Sequence, residues 1–338
     1  MLRREAIAMN PRRVLVLGAT GSFGRAMAAE LRSLGWPVRA LIRDPDRLLT
    51  GPMALPGLEV AAGDALDPVA VDAAAEGCAA IVHAVSLPYP QWPSVMPRVT
   101  DNVIAAAARR SAVVLFPGNV YGFGRQTGKP LTEKAPMRPD TRKGALRVAL
   151  EDRLAEAARQ RSLKAVILRA GDFFGPTVRN GLVDRIFGNA ARGKPIKVLG
   201  RTDVVHQWAY VPDLARVGAD LLAMADLLEP VEIVHFRGHV ADPHARFLGR
   251  IAALAGRPGL RVRRINWRAI QMLALFRPMA RELLELRYLF DDAVVLDDPR
   301  RRDLLPTFTP TPLDDAIRQT LTSYRREYVP RRLQEVVD

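Results

Sequence analysis

Short apolar runs alternate with helical segments over the first half of the chain. The run Val14–Leu17 precedes a helical pattern that ends at Gly35, and similar pairs follow up to residue 169. Strands that are apolar throughout are typical of a parallel sheet covered by helices on both faces. The pattern therefore predicts an α/β fold with a doubly wound parallel sheet. The predicted strands are 13–17, 37–42, 58–62, 79–84, 112–116 and 164–169, and the predicted helices are 23–34, 68–75, 95–109 and 144–160.

The pattern changes after residue 175. Helices are predicted at 181–191, 212–225, 243–255, 267–286 and 313–323, with short strands at 196–199 and 231–236. We expect a sheet domain over residues 12–175, which also receives the segment 196–226. An interleaved, mainly helical C-terminal region is expected over 176–330. Because open α/β sheets bind ligands at the carboxyl ends of their strands, this region is expected to cover a substrate there.

A glycine-rich turn joins the first predicted strand to the first predicted helix. Gly18 permits a tight turn, Gly21 lets the backbone approach a pyrophosphate, and Gly24 lets the helix pack closely on the strand. The helix N-terminus then offers free N–H groups to the phosphates. The turn predicts the phosphate site of a nicotinamide dinucleotide in a Rossmann-like sheet. Its residues are Gly18, Ala19, Thr20, Gly21, Ser22, Phe23 and Gly24.

The end of the second strand bears on the choice between two cofactors. An acidic residue there would bind the ribose 2′-hydroxyl of NAD, whereas a basic residue accommodates the 2′-phosphate of NADP. The strand is followed by Arg43 and then by Asp44. Arg43 favours NADP, and Asp44 leaves NAD open as the alternative.

Several motifs resemble those of the extended short-chain dehydrogenases/reductases, which include nucleotide-sugar epimerases, dehydratases and related reductases. Besides the glycine turn, they are Gly63-Asp64-Ala65-Leu66-Asp67, Val82-His83-Ala84-Val85, Val120-Tyr121-Gly122, and the segments 168–176 and 208–215. The resemblance implies that Asp64 and Ala65 face the adenine. It also implies that the strand end with Ala84 and Val85 lines the cofactor ribose.

The resemblance has two further implications. Ala170 and Asp172, which follow the sixth strand, are expected beside the cofactor. Family members often form homodimers through the helices predicted here at 95–109 and 144–160, so we expect a homodimer. The apolar residues of these helices could form the dimer face or cover the sheet. They are Val103, Ile104, Ala107, Leu146, Ala149 and Leu154.

The usual catalytic residues of this family are replaced. Members use a Ser or Thr after the fifth strand and a Tyr-x-x-x-Lys motif on the next helix, where the Tyr exchanges a proton with the substrate. Counting back four residues from Tyr121 places Pro117 at the Ser/Thr position. Counting back from Glu151 places Lys143 and Arg147 at the Tyr and Lys positions. The usual proton donor is therefore absent.

Three hypotheses follow from these replacements. In the first, Lys143 is the acid/base, and Arg147, one helical turn on, favours its neutral form through like-charge repulsion. In the second, Lys143 and Arg147 hold the cofactor, and Asn119, Tyr121 or Asp172 handles the substrate. In the third, the protein binds the cofactor without turning it over.

These hypotheses lead to three candidate functions. The main prediction is an NADP-dependent reductase or dehydrogenase of a small carbonyl or alcohol substrate. The alternatives are a nucleotide-sugar-type epimerase or dehydratase, and an NADP(H)-binding sensor or scaffold. Sugar-nucleotide members carry a phosphate-binding Arg two residues before the Trp of the 208–215 element, and here that residue is His206. The missing Arg weakens the case for a nucleotide sugar.

Composition limits the other classes of function. The net charge is +14, carried almost entirely by arginine because the chain has six lysines. This charge could attract polyanions, or it could reflect arginines spread over solvated faces. No nucleic-acid motif accompanies it, so no nucleic-acid partner is expected. The single Cys78 and the lack of zinc-ligand spacing predict no metal site. The lone cysteine, with no secretory signal and no membrane-spanning segment, predicts a cytoplasmic protein.

The segment 269–290 is strongly apolar and is broken by Pro278. It could form a helix pair that closes the core, or an apolar lid over a lipophilic substrate. A third alternative is an interfacial membrane helix with Arg277, Arg281 and Arg287 on its polar side.

Overall fold

The computed structural model describes residues 11–49, 55, 57–126, 128–160 and 163–327. The strands in these ranges are β1 (Val14–Leu17), β2 (Val38–Ile42), β3 (Glu59–Ala62), β4 (Ala80–His83), β5 (Val113–Asn119), β6 (Lys164–Ala170), β7 (Asp172–Phe174), β8 (Ile196–Val198), β9 (His206–Tyr210), β10 (Val231–Phe236), β11 (His239–Ala241) and β12 (Val262–Arg264). Seven of them form one parallel sheet in the order β10-β6-β5-β4-β1-β2-β3. The predicted α/β fold is confirmed.

Helices cover both faces of this sheet. The helices in the described ranges are α1 (Ser22–Ser33), α2 (Asp46–Leu49), α3 (Pro68–Ala74), α4 (Trp92–Ala108), α5 (Arg142–Gln160), α6 (Asn189–Ala191), α7 (Val211–Ala223), α8 (His244–Leu254), α9 (Trp267–Ala274), α10 (Pro278–Glu285), α11 (Tyr288–Asp291), α12 (Pro299–Leu304) and α13 (Leu313–Glu327). Successive side chains of β1 explain the two layers. Val14 and Val16 pack into one apolar cluster with α1 and α7, whereas Leu15 and Leu17 pack into another with α4 and α5.

The predicted strands and helices up to residue 170 agree closely with the structure. One difference is at β5, which continues past the predicted end at residue 116 to Asn119. Its last three residues pair with β6. Pro117 and Gly118 lie in this extension, and both residue types are uncommon in strands. The apolar pattern therefore stops before the strand does.

The C-terminal half contributes to more than one layer. β10 is the edge strand of the main sheet, although the sequence pattern places residues 231–236 in the C-terminal region. The helix α7 packs against α1, as expected if the segment 196–226 joins the sheet domain. β8, from the same segment, pairs instead with β12. The three-stranded sheet β11-β9-β7 was not predicted, because two of its strands have only three residues.

The apolar segment after residue 266 forms a helical hairpin. Its two helices, α9 and α10, are separated at Pro278, as the sequence predicts. Their inner faces bury Ile270, Ala274 and Ala280 in a small cluster with Leu199 and Phe290. The prediction of a helix pair that closes a core is therefore confirmed for this inner face.

The two helices expected at a dimer interface mainly cover the sheet. Four of the six apolar residues considered for that interface are buried within the chain, namely Val103, Ile104, Ala107 and Leu154. They cannot also contact a partner. The homodimer itself stays a prediction. Within the described ranges, no helix has the length and apolar character needed to cross a bilayer.

Candidate cofactor and substrate site

The glycine turn packs directly against the end of β4. Gly18 has a φ of +81°, a conformation that favours glycine. A Cβ on Gly18 would lie 2.2 Å from the carbonyl oxygen of Ala84 and 2.9 Å from the amide nitrogen of Val85. The turn and the strand end therefore approach each other so closely that position 18 has no room for a side chain. This contact brings together three predicted cofactor residues.

The other two glycines shape the start of α1. A Cβ on Gly24 would lie 2.3 Å from the carbonyl oxygen of Gly18, so a side chain there would push the helix off the turn. The amide of Gly21 donates a hydrogen bond to the Gly18 carbonyl, 2.9 Å away. Gly21 also caps α1 without a side-chain hydrogen bond, and the first turn holds no acidic residue. The helix N-terminus thus keeps its positive character for an anion.

The remaining residues of the turn have different surroundings. Ala19 and Phe23 are buried, and the Phe23 ring lies 6.4 Å from the ring of Phe173. Thr20 and Ser22 are partly exposed, and the Ser22 carbonyl accepts a hydrogen bond from the Thr177 hydroxyl at 3.0 Å. The apolar members anchor the turn in the core, and the polar members face outward.

The residues predicted near the adenine end lie in the loops after β2 and β3. Arg43 is exposed directly after β2, and it forms no ion pair within the described ranges. The Asp64 carboxylate accepts a hydrogen bond from the amide of Leu66 at 2.9 Å, which fixes the turn. The carbonyl of Ala65 accepts a hydrogen bond from the side chain of Asn102, also at 2.9 Å.

Two tyrosines share a hydrogen bond beyond β5. The hydroxyl groups of Tyr121 and Tyr89 are 2.9 Å apart, and the Tyr121 ring stacks on Trp92. The Asn119 carboxamide holds this turn by accepting a hydrogen bond from the amide of Tyr121 at 3.0 Å. Burial raises the pKa of Tyr121 well above its ordinary value, and the neighbouring Tyr89 and Asp172 act in the same direction. Both phenols therefore stay protonated at neutral pH.

Lys143 is buried against two glutamates of α10. Its ammonium lies 2.6 Å from a carboxylate oxygen of Glu285 and is also hydrogen-bonded to Glu282. Its backbone amide donates to Glu285 as well, at 3.1 Å. Only 4 % of the Lys143 side chain is exposed. No sequence pattern connects these glutamates with Lys143, because about 140 residues separate them from it.

The first hypothesis for Lys143 names only Arg147 as its charged neighbour. Like-charge repulsion from Arg147 was expected to favour a neutral amine. The structure instead places two carboxylates in contact with the Lys143 side-chain nitrogen. Lys143 can still offer a proton or a hydrogen bond, because an ammonium has three N–H donors and each carboxylate needs only one.

Arg147 lies one turn along α5 and points elsewhere. Its guanidinium donates a hydrogen bond to the carbonyl of Pro117 and lies 4.4 Å from the centre of the Phe116 ring. Burial lowers its pKa. Among the described residues, its Nε atom is buried without a hydrogen-bond partner. A buried N–H without a partner is costly.

Two further pairs lie near these residues. Arg169 and Glu151 form an ion pair at 2.7 Å, and each side chain is only 5 % exposed. This pair packs under Gly118, where a Cβ would lie 2.5 Å from the Arg169 side chain. Asp172, two residues after the buried Ala170, is hydrogen-bonded to His206 at 2.9 Å. Asp172 is thus hydrogen-bonded to His206, the residue at the position of the family's phosphate-binding arginine. The described part of the chain contains no group of His, Cys, Asp and Glu that could hold a metal ion.

The fold and the glycine turn define a Rossmann-type dinucleotide-binding protein. The model of the NAD dependent epimerase/dehydratase family matches residues 14–235 of the 338 in the chain. The chain belongs to this family. The family lies within the short-chain dehydrogenase/reductase resemblance, which is thereby confirmed. A search of curated proteins gives no significant match.

Several solved structures share the fold. A putative epimerase from Burkholderia cenocepacia is 24% identical, with a TM-score of 0.74 and coverage of 94% of this chain and 99% of that one. UDP-glucose 4-epimerase from Brucella ovis, solved with NAD, is 19% identical, with a TM-score of 0.74 and coverage of 93% and 98%. MoeE5, solved with UDP-glucose and NAD, is 20% identical, with a TM-score of 0.72 and coverage of 93% and 99%. At this identity, the likeness is one of fold.

Proposed function

We propose that the chain binds a nicotinamide dinucleotide at the carboxyl edge of its sheet and performs epimerase/dehydratase-type redox chemistry on a hydroxylated substrate, with nucleotide sugars as the first class to test. The observation that carries this proposal is the glycine turn, in which a Cβ on Gly18 would lie 2.2 Å from the Ala84 carbonyl oxygen. Membership of the family supports it. So do the related structures with NAD and UDP-glucose.

The residues present fit such a cofactor at two points. The uncapped start of α1 offers N–H groups to a pyrophosphate, and the buried Nε of Arg147 lacks a partner that a ribose hydroxyl would supply. We assign Arg147, rather than Lys143, to cofactor binding. Asp64, Ala65, Ala84, Val85 and Ala170 are proposed to contact the cofactor as the family resemblance implies. When bound, the nicotinamide supplies the exchange of a hydride.

The chain's own residues would manage the proton. Lys143 keeps a donor beyond those directed to Glu282 and Glu285, and Tyr121 stays protonated. Donors of this kind stabilise negative charge that develops on a substrate oxygen. The hydrogen-bonded pair of Asp172 and His206 is the candidate for accepting a proton from a substrate hydroxyl. Asn119 fixes the Tyr121 turn and is proposed to act by positioning.

A second candidate is an NADP-dependent reductase of a small carbonyl compound. The Asp172 carboxylate favours it, because a negative group beside His206 would repel the diphosphate of a nucleotide sugar. The exposed Arg43 after β2 favours NADP, since its guanidinium is free to meet a 2′-phosphate.

One panel separates these functions. The purified chain would be incubated with NAD⁺ or NADP⁺ and UDP-sugars, and separately with NADPH or NADH and small aldehydes and ketones. Formation of an epimer or dehydrated sugar without net cofactor consumption supports the epimerase/dehydratase proposal. Net NADPH consumption supports the reductase instead. Tight cofactor binding with no turnover on either arm overturns both and indicates a sensor or scaffold.

A further inference from the structure

The turn between α9 and α10 exposes an unusual number of large apolar side chains. Nine such residues are exposed in the described part of the chain, and five of them lie between residues 272 and 279. We call these five the apolar tip: Met272 (64 % exposed), Leu273 (51 %), Leu275 (60 %), Phe276 (79 %) and Met279 (47 %). A cluster of this kind on a protein surface marks an interaction site more often than isolated residues do.

Packing and hydrogen bonds hold the apolar tip in place. The helices α9 and α10 hold it from the inside through Ile270, Ala274 and Ala280. The guanidinium of Arg281 donates hydrogen bonds to the last carbonyls of α9, at 2.6 Å to Ala274 and 3.0 Å to Leu275. This satisfies carbonyl groups that a helix end otherwise leaves to water. The exposed side chains are therefore presented on an ordered hairpin.

Charge along residues 256–281, which include the tip, has a single sign. Residues 256–281 contain seven arginines and no aspartate or glutamate. All seven are exposed, and none forms an ion pair within the described ranges: Arg257, Arg261, Arg263, Arg264, Arg268, Arg277 and Arg281. Exposed arginines elsewhere are often paired, as Arg153 is with Asp101 and Arg250 is with Asp314. In the described part of the chain, no close ion pair therefore neutralises these arginines.

We propose that the α9–α10 hairpin docks the protein on an anionic lipid surface. The apolar tip enters the boundary between headgroups and acyl chains, and the surrounding arginines contact lipid phosphates. A second copy of the chain fits less well, because two tips in contact would bring fourteen arginines together without counter-charge. A nucleic acid would neutralise the arginines but leave the aliphatic side chains of the tip in water.

Vesicle sedimentation tests the proposal with the intact chain. Vesicles of phosphatidylglycerol and phosphatidylcholine in roughly equal parts would be compared with pure phosphatidylcholine vesicles. We expect binding only to the anionic vesicles, and weaker binding as salt rises from about 0.1 M, where the Debye length is about 10 Å, to several times that value. The double variant Leu273→Ser/Phe276→Ser should lower the partition coefficient about tenfold or more, because two large apolar side chains no longer enter the lipid.

Matched variants separate docking from general effects. Leu227→Ser removes an apolar side chain that is 81 % exposed but remote in sequence from the tip, and it should change binding less than about twofold. Arg268→Gln/Arg277→Gln should weaken anionic binding about tenfold, whereas the ion-paired Arg153→Gln should not. Equal binding by wild type and Leu273→Ser/Phe276→Ser would overturn the proposal. So would a concentration-dependent dimer, seen by light scattering, that these substitutions abolish while vesicles have no effect.

Discussion

The cofactor side and the substrate side of this molecule are held by different interactions. At the glycine turn, Gly18 and Gly24 leave space for nothing larger than hydrogen, and the adjacent His83 is buried and uncharged. Across the site, Lys143 is fixed by Glu282 and Glu285 in a network of buried charge. Close backbone packing holds the glycine turn, whereas ion pairs hold the region around Lys143.

The difference shows which parts of a family pattern can change. Because the backbone at position 18 lies so close to the Ala84 carbonyl, only glycine fits there, and the phosphate turn keeps the family's form. A proton-handling site can be rebuilt from other groups if their charges are balanced. Lys143 at the Tyr position brings a positive charge, and α10 supplies the two carboxylates that balance it.

The largest expected effect comes from removing the charge that holds the substrate side together. Lys143→Met leaves the largely buried carboxylates of Glu282 and Glu285 with only the exposed Arg142 as a charge partner, so we expect the free energy of unfolding to fall by about 3 kcal/mol. Urea unfolding of the variant measures this. Lys143→Met/Glu282→Gln/Glu285→Gln should recover most of the loss, because no unpaired charge remains.

Arg142→Met is a matched control for this prediction. Arg142 contacts the same two glutamates, but its side chain is 80% exposed. We expect a cost below about 1 kcal/mol, as for other surface ion pairs. If Lys143→Met proves no more costly than Arg142→Met, the buried network does not stabilise the site as described.

Acid should affect the two regions over different pH ranges. Burial lowers the pKa of His83 to about 3, with Arg147 adding to the effect, so the folded chain resists a proton that the unfolded chain takes up near 6.5. Its contribution to stability is complete above pH 6.5 and is lost as the pH falls towards 3. At pH 5 the loss should be about 2 kcal/mol, from about 1.4 kcal/mol per pH unit.

The glutamate network should respond only at lower pH. Burial raises the pKa of Glu285, but hydrogen bonds from Lys143 outweigh this and lower it below its ordinary value of 4.5. Its contribution is present above pH 4.5 and is lost below it. Thermal unfolding of wild type and His83→Leu between pH 7 and 4 measures the separation. An unchanged pH slope in His83→Leu would show that His83 does not carry this effect.

A smaller effect is expected where the cofactor's adenosine end would lie. If Arg43 meets a 2′-phosphate, Arg43→Ala should weaken NADP binding about tenfold and leave NAD binding within about twofold, since one charge-assisted hydrogen-bonding group is lost. Arg109→Ala, at an exposed arginine paired with Asp72, is the control and should change neither affinity. Equal losses for both cofactors would remove the preference for NADP.

The sheet could be predicted from the sequence because its physical cause is local. The strands of the doubly covered sheet contain short apolar runs, of which Val14–Leu17 is the clearest, and the glycines mark the turn that follows it. The division of the C-terminal hairpin into two helices could be predicted for the same reason. Proline interrupts a helix through its own ring and missing N–H group, so the break at Pro278 needs no long-range contact.

The substrate side could not be predicted in the same way. Lys143 was identified by its position in a motif, but Glu282 and Glu285 have no local signal that connects them with it. The tyrosine pair joins residues 89 and 121, and the Asp172–His206 pair joins two separate strands. Only the topology of the folded chain brings these groups together.

Cofactor binding should depend on the glycine turn and should be separable from the charge network around Lys143. Calorimetric titration of NADP⁺ and NAD⁺ would compare wild type, Gly18→Ala and Lys143→Met/Glu282→Gln/Glu285→Gln. Gly35→Ala is the control, because Gly35 shares the positive φ, at +79°, but has no atom within 4 Å of its Cβ position. We predict similar affinity for wild type, the triple variant and Gly35→Ala, and a loss of about a hundredfold or more in Gly18→Ala, from backbone strain of about 1–3 kcal/mol and displacement of the turn. Wild type that binds neither cofactor, or a triple variant as impaired as Gly18→Ala, would contradict the account.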